Sequence, residues 1–410
     1  MPRVMLLIPS VSYRAPDFMQ AASELGVDVV VGSDRRSALE GLHPDRQVGL
    51  DFADPDQGAR QIEEYARRYP LDTIVAVDDA GTRLAARASR RLALPHNLVE
   101  AVEATRNKAL LRERLAKAGL PSPLYRVVPI DAPAAQVAVN LTLPVVVKPL
   151  GLSASRGVIR ANNVEEFVAA FERVKLILDQ PECAAEAGNL AGQLLIEGYI
   201  PGIEVSVEGL LTDGQLHVLA IFDKPDPLEG PYFEETIYVT PSRLPAAEQT
   251  RVTEVTGRAT AALGLSNGPI HAELRLNDAG AYPIDIAARS IGGLCSRTLS
   301  FGTGMSLEEL ILRHAIGAGV PSFERESRAA GVLMIPIAKR GTLRAVHGVA
   351  DAEAVPLIES VTLMIHVGAE VVPLPEGIKY LGFIFAHGDT PAAVEDVLRR
   401  AHARLRFEIE

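Results

Sequence analysis

Over the first hundred positions, apolar residues gather in short runs separated by amphipathic stretches. Residues 4–8, 27–31 and 73–77 are strand-length apolar runs. Residues 17–25 have helical spacing, 56–68 read as a charged helix, and an Ala/Arg-rich helix follows the third run to Leu92. Such alternation of strand and helix implies a parallel sheet covered on both faces by helices. The third run ends in Asp78-Asp79-Ala80-Gly81.

A break at Leu94-Pro95-His96-Asn97 opens a second region. Residues 99–118 predict one helix, stopped at Gly119 with Pro121 and Pro123 beyond. Strands and helices then alternate irregularly to about residue 320, and the polar stretch 322–328 reads as a linker. Strands at 332–337, 360–365 and 380–386 and a terminal helix at 391–405 predict a small α+β domain. The expected divisions are 1–95, 96–322 and 323–410, in an α/β and α+β multidomain chain. No internal repeat is found.

Composition narrows the function classes. At 410 residues and 43.9 kDa the chain is too long for one core. A formal net charge of −11 argues against nucleic-acid or anionic-lipid partners. No apolar stretch approaches the roughly 20 residues that span a bilayer. The N-terminus reads as a first strand, without a signal-peptide cleavage site. The cysteines, Cys183 and Cys295, lie far apart with no CxxC, which fits a reducing cytoplasm. The N-terminal alternation would suit a Rossmann-like dinucleotide domain. However, Pro9-Ser10-Val11-Ser12-Tyr13 after the first strand lacks the G-x-G-x-x-G that brings backbone against a pyrophosphate. A dehydrogenase is therefore the weakest reading.

The most informative local feature is an acidic hairpin. Residues 271–276 alternate polar and apolar, Asn277-Asp278-Ala279-Gly280 supplies a turn, and 282–289 alternate again. Glu273 and Asp285 are symmetric about residue 279, so they should lie opposite or nearly opposite each other. Leu274 and Leu276 would share the buried face with Ile284 and Ile286. The two carboxylates then point together to the other face, roughly 5 Å apart at Cβ. Like charges that close repel unless a cation bridges them or one is protonated, and an all-oxygen donor set suits Mg²⁺. Arg289 lies further along the same face, where it could meet a phosphoryl group.

Other segments offer complementary chemistry. Lys148 ends the apolar strand Val145-Val146-Val147 and is followed by a Gly/Ser loop over 150–158. Small residues there let backbone N–H groups close over phosphates, with Ser153, Ser155 and Arg156 as further donors. Lys108 sits in Arg106-Asn107-Lys108 on the preceding helix. Over 194–208, a strand ends at Glu197, a kinked link follows, and a second strand begins near Glu204. Free backbone groups in such a link can read an adenine edge, and a carboxylate at 204 can hold ribose hydroxyls.

Taken in order, these segments resemble the ATP-grasp superfamily. The likeness rests on Asn107-Lys108 with Gly119-Leu120-Pro121, the Val-Val-Val-Lys148-Pro149 strand with Ser155-Arg156-Gly157-Val158, Glu197-Gly198-Tyr199-Ile200-Pro201-Gly202-x-Glu204, and His271-x-Glu273 with Asp285-Ile286-Ala287-Ala288-Arg289. Within the superfamily the chain is similar to L-amino-acid (dipeptide) ligases and biotin-carboxylase-like enzymes. It shares Asp223-Lys224-Pro225, Phe233-Glu234-Glu235 and Tyr380-Leu381-Gly382-Phe383 with that branch. The resemblance implies an ATP-grasp fold with a Rossmann-like pre-ATP-grasp domain at 1–95, a lid at about 120–195, and a small C-terminal cap.

It further implies ATP and Mg²⁺ or Mn²⁺ as cofactors, with a small carboxylate and an amine, amino acids among them, as substrates. Lys108 and Lys148 would bind phosphates with Ser153, Ser155, Arg156 and Gly157. Glu197, Gly198, Tyr199 and Ile200 would meet adenine, and Glu204 the ribose. Glu273 and Asp285 would hold metal, and Arg289 with Lys148 would act in catalysis. Lys224, Glu235, Tyr238, His271, Arg289, Gly292 and Gly293 would face substrate. Asp285 stands where relatives usually carry Glu, and Tyr238 where dipeptide ligases carry a pocket histidine, so metal number and substrate identity stay open. The activity implied is amide formation through an acyl phosphate. A bicarbonate-using carboxylase or carbamoyl-phosphate-forming enzyme, and a non-catalytic ATP-binding module, remain alternatives. A homodimer is compatible with the sequence.

Overall fold

Both faces of the first sheet are buried, which explains why its strands are apolar without alternation. The computed structural model describes residues 1–36 and 41–410. Its N-terminal part comprises β1 (Arg3–Leu7), α1 (Ala15–Glu24), β2 (Asp28–Ser33), β3 (Gln47–Gly49), α2 (Pro55–Arg68), β4 (Thr73–Ala76) and α3 (Asp79–Leu92). The strands pair in parallel in the order β3-β2-β1-β4. Met5 and Leu7 face Ile62 and Leu84 of α2 and α3, while Val4 and Leu6 face the larger core shared with the rest of the chain. The short strand β3 escapes the sequence because Gln-Val-Gly has no apolar run to mark it.

Where the spacing predicts one helix over 99–118, there are two, α4 (Val99–Arg106) and α5 (Lys108–Lys117). Asn107 breaks them with an extended backbone, and its side chain accepts from the amides of Ala109 (3.1 Å) and Leu110 (3.3 Å). It is thus an N-cap. The break puts Lys108 on the first turn of α5, and its amide donates to Leu150 O (3.1 Å).

The next unit contains β5 (Tyr125–Pro129), α6 (Ala134–Ala138), β6 (Val145–Pro149), β7 (Ile159–Ala161), α7 (Val164–Leu178), α8 (Pro181–Ala187) and β8 (Gln193–Gly198). Its sheet runs β5-β8-β6-β7, with Phe167, Phe171 and Val174 of α7 in its core. Gly202 then turns the chain into the central sheet. Its φ is +122°, and a Cβ there would lie 2.0 Å from Leu276 O, so only glycine fits.

The central part holds β9 (Ile203–Thr212), β10 (Gln215–Asp223), β11 (Ile237–Thr240), α9 (Ala246–Leu263), β12 (Gly268–Asn277) and β13 (Gly280–Ala287). After the small hairpin β14 (Ser300–Phe301) and β15 (Met305–Ser306) comes α10 (Leu307–Ala315). The C-terminal segment adds β16 (Ala329–Ile335), β17 (Gly341–His347), α11 (Val349–Glu353), β18 (Ile358–Leu363), β19 (Glu370–Val371), β20 (Gly382–Gly388), α12 (Pro391–His402) and β21 (Arg406–Ile409). Pairing of β11 with β16 extends the central sheet to eight strands, β13-β12-β9-β10-β11-β16-β20-β18. The polar stretch at 322–328 therefore separates chain segments but not sheets.

Alternation on the central strands sorts their residues. On β12, Ile270, Ala272, Leu274 and Leu276 pack with Val252, Ala259 and Leu263 of α9. His271, Glu273 and Arg275 take the opposite face, beside Glu204, Ser206 and Glu208 of β9. Two contacts fasten the β6–β7 loop and α7 to the C-terminal segment. The Gly157 amide donates to Pro375 O (2.9 Å), and Arg173 Nε donates to Glu376 (2.8 Å).

The Arg173–Glu376 pair is partly exposed, so its loss should cost under about 1 kcal/mol of global stability. Glu376→Gln should instead raise amide hydrogen exchange locally, over residues 153–158. Unchanged exchange there would mean that this pair does not hold the loop.

Candidate active site

One cavity of about 410 Å³ opens between the β5–β8 unit, the charged face of the central sheet and the N-terminal sheet. Its floor is the predicted hairpin. Glu273 pairs with Asp285 in register as the spacing requires, with a bulge between Glu273 and Leu274. The bulge breaks the expected alternation at one place. Ile286 joins Leu274 and Leu276 in the core, whereas Ile284 lines the cavity.

Each carboxylate on this face is met by a cation. Lys224 lies beneath Glu204 (2.8 Å), Glu235 and Glu273 (3.4 Å) rather than on the cavity wall. One ammonium cannot neutralise three acids. Burial pushes the Glu235 carboxyl up to about 7, with Lys224 opposing. Glu273 is held well below the usual range because Lys224 and then His271 outweigh its burial. His271 donates from Nδ1 to the buried Glu208, whose other oxygen accepts from the Ile291 amide (3.0 Å). Burial alone would depress this imidazole, but Glu208 and Glu273 push it up to about 9.

The opposite wall carries the predicted nucleotide residues. Glu197 and Lys148, each 3% exposed, form an ion pair (2.6 Å). Arg112, fully buried, donates from Nε to Glu197 (2.6 Å), from Nη1 to Pro283 O (3.1 Å) and from Nη2 to Ile284 O (2.6 Å). One guanidinium thus joins β8 to β13 beside Asp285. Burial would raise the Glu197 carboxyl, yet Arg112 and Lys148 hold it at about 2. Lys108 reaches Leu152 O (2.8 Å) and Asp285 (3.5 Å).

The loop between β6 and β7 divides its predicted donors. Ser153 and Ser155 line the cavity, but Arg156 and Gly157 do not. Arg156 pairs with Glu186, which also accepts from Ser153 Oγ (3.1 Å), and the Gly157 amide is taken by Pro375. In the 197–200 link, the Gly198 and Tyr199 amides donate to Leu124 O and Pro144 O. The Ile200 amide has no intramolecular partner among the described residues, while its carbonyl accepts from Arg275 (2.9 Å). Glu204 accepts from Arg275 (2.9 Å) as well as from Lys224.

Beyond the hairpin, Arg289 sits against Asp79 at the start of α3, donating from Nη2 (2.9 Å) and Nε (3.1 Å). Arg106 reaches the other oxygen of Asp79 (3.1 Å). The cavity continues past Gly292 and Gly293 into a chamber walled by Tyr238, Tyr380, Met334 and Cys295. Sequence reasoning did not single out Arg112, Asp79, Glu208 or Arg275. The period-two face of β9 and β12 was a signal for Glu208 and Arg275. Asp79 and Arg112 have none, since their partners lie far away along the chain.

Comparisons with known proteins point to one family of folds. Residues 19–96 match the model of an ATP-grasp N-terminal domain, 141–298 an ATP-grasp domain, and 333–410 an L-amino acid ligase C-terminal domain 2. The fold is similar to that of an L-amino acid ligase from Bacillus licheniformis, with a TM-score of 0.85 and 25% identity, covering 100% of this chain and 99% of that one. The chain is 28% identical to the alanine–anticapsin ligase of Bacillus subtilis over 294 residues, 68% of this chain and 61% of that protein. It therefore spans less than two thirds of that relative. A D-alanine–D-alanine ligase of Verminephrobacter eiseniae is 24% identical over 304 residues, 71% of this chain and 87% of that protein.

The buried Glu197 predicts an acid-linked loss of stability. Its folded carboxyl at about 2 lies below the ordinary value of 4.5, so its contribution is present above 4.5 and fades as pH falls through about 2. Glu197→Gln leaves Arg112 and Lys148 without a counter-charge and should destabilise by about 3–5 kcal/mol at pH 7. In urea unfolding, the gap to wild type should narrow as pH drops from 4.5 towards 2. A gap independent of pH would refute the ionised pairing.

Proposed function

We propose that this chain, which belongs to the ATP-grasp superfamily and carries an L-amino acid ligase C-terminal domain, is an ATP-dependent carboxylate–amine ligase that joins amino acids through an acyl phosphate. The observation that carries the reading is continuity. Lys108, Lys148 and Ile200 line the same cavity as the Glu273–Asp285 pair and Tyr238.

A free carboxylate is a poor electrophile because its leaving group would be oxide. Transfer of the γ-phosphoryl of ATP to a carboxylate oxygen gives ADP and a mixed anhydride. Attack of an amine at the carbonyl carbon then breaks the C–O bond to phosphate and forms the amide. The protein's work is positioning and charge neutralisation. Lys108 and Lys148 meet the phosphates, the Ile200 amide reads the adenine edge, and Glu204 takes the ribose. Arg156 and Gly157 act behind the loop, fixing Ser153 and Ser155 rather than touching phosphate.

Glu273 lies opposite Asp285 in register and brings its carboxylate within 4.8 Å of those of Glu204 and Glu235, so an all-oxygen set with acids in excess of the Lys224 ammonium surrounds Glu273 and suits a hard divalent cation. Mg²⁺ or Mn²⁺ held there would neutralise phosphate charge. Arg289 offers its guanidinium to the transferring phosphoryl and acyl-phosphate oxygens. Glu235 and His271 meet polar substrate groups, Lys224 orients them from beneath, and Tyr238, Gly292 and Gly293 shape the chamber. Residues 120–195 serve as a lid that excludes water from the anhydride. The buried free thiols Cys183 and Cys295 suit a reducing compartment, and we place the enzyme in the cytoplasm.

Incubating the protein with ATP, Mg²⁺ and pairs of amino acids should release phosphate together with a dipeptide for at least one pair. ADP formed with bicarbonate and no amine would instead assign a carboxylase, and ATP binding without any turnover a non-catalytic module. Arg289→Ala should keep ATP affinity within about threefold while kcat falls about a hundredfold or more. Near-normal turnover in that variant would refute the role given to Arg289.

A further inference from the structure

We infer that Asp79, on the N-terminal sheet's helix α3, is a positioning residue that aims the Arg289 guanidinium at the reacting phosphoryl group. The inference rests on the ligase reading and adds a working part from a different region of the fold. Arg289 lies just beyond the end of β13, on a connecting segment whose side chains no sheet pairing holds. A guanidinium there can turn towards any carboxylate within reach. Asp79 Oδ2 takes one edge of it, accepting from both Nε (3.1 Å) and Nη2 (2.9 Å). Nη1 donates to Ser290 O (2.9 Å).

Three of the five N–H donors of the guanidinium are thereby engaged. One N–H on each Nη remains, a fork able to take two oxygens of a phosphoryl or acyl-phosphate group. Both Asp79 and Arg289 line the cavity.

The carboxylate is itself fixed. Asp79 is the first residue of α3, where the helix dipole favours a negative charge. Its Oδ1 faces Arg106 (3.1 Å), whose Nη2 also donates to Gly151 O (3.4 Å) in the β6–β7 loop. Burial would raise this carboxyl, but Arg289 and then Arg106 hold it well below the usual range. The neighbouring residue is held from the same side. Arg14, fully buried, donates to Ser290 Oγ (2.9 Å), Val77 O (3.0 Å) and Glu308 (3.0 Å). Residues 289 and 290 are thus gripped by two side chains of the N-terminal part. Preorganising a cation at developing charge acts on the transition state more than on ground-state binding.

Asp79→Asn preserves shape but removes the charge that orients Arg289. It should lower kcat about 10- to 100-fold with KM for ATP changed less than about threefold, and Asp79→Glu should retain more kcat than Asp79→Asn. The deciding measurement is a double-mutant cycle. If Asp79 acts through Arg289, adding Asp79→Asn to Arg289→Ala should change kcat less than about twofold. Losses that multiply, or an Asp79→Asn effect confined to KM, would overturn the assignment while leaving the ligase reading intact. Absence of turnover by the wild-type protein with every amine and carboxylate would overturn both.

Discussion

A charge taken out of water must find an opposite charge, and the cleft is organised by that demand. Burying an isolated ion costs several kcal/mol, so each buried carboxylate here recruits cations from elements that would otherwise move independently. Glu197 is the clearest case. Its partners are Lys148 on the adjacent strand and Arg112 on α5, and Arg112 extends to two carbonyls of β13. A strand of the β5–β8 unit and the strand carrying Asp285 are thereby held at a fixed separation.

The same logic distributes the other charged groups. On the central sheet, three carboxylates share Lys224, and burial pushes the Glu235 carboxyl up to about 7. His271 is kept cationic between Glu208 and Glu273. Around the β6–β7 loop, Glu186 collects Ser153 and Arg156 while Asp285 receives Lys108. In the ligase reading, Lys108 and Ser153 would leave Asp285 and Glu186 for phosphate when a nucleotide binds.

The N-terminal sheet contributes more than a scaffold. Its strand ends and the first turn of α3 face the cavity, and Asp79 and Arg14 hold the segment that leaves the β12–β13 hairpin. The C-terminal segment contributes similarly. It lends three strands to the central sheet, lines the cavity with Met334 and Tyr380, and fastens the β6–β7 loop and α7 through Pro375 and Glu376. A site built from every part of the chain explains why fragments of the pattern are individually weak signals.

Local chemistry was legible along the chain because its cause is local. Period-two alternation placed Glu273 opposite Asp285, continuous apolar runs marked the parallel strands, and the Gly/Ser stretch after Lys148 marked a loop that lines the cavity. The break at Asn107 was not legible, since an asparagine is tolerated inside a helix and its capping role appears only with the backbone turn it accepts from. Nor could spacing show that a bulge turns Ile284 onto the cavity wall, or that Arg156 and Gly157 are spent on Glu186 and Pro375. Asp79 with Arg289, and Arg112 with Glu197, are separated by 210 and 85 positions, and no periodicity reaches so far. Sequence alone determined that Glu273 and Asp285 meet across a hairpin. Tertiary structure decided which opposite charges meet, because buried ions choose partners by proximity in space.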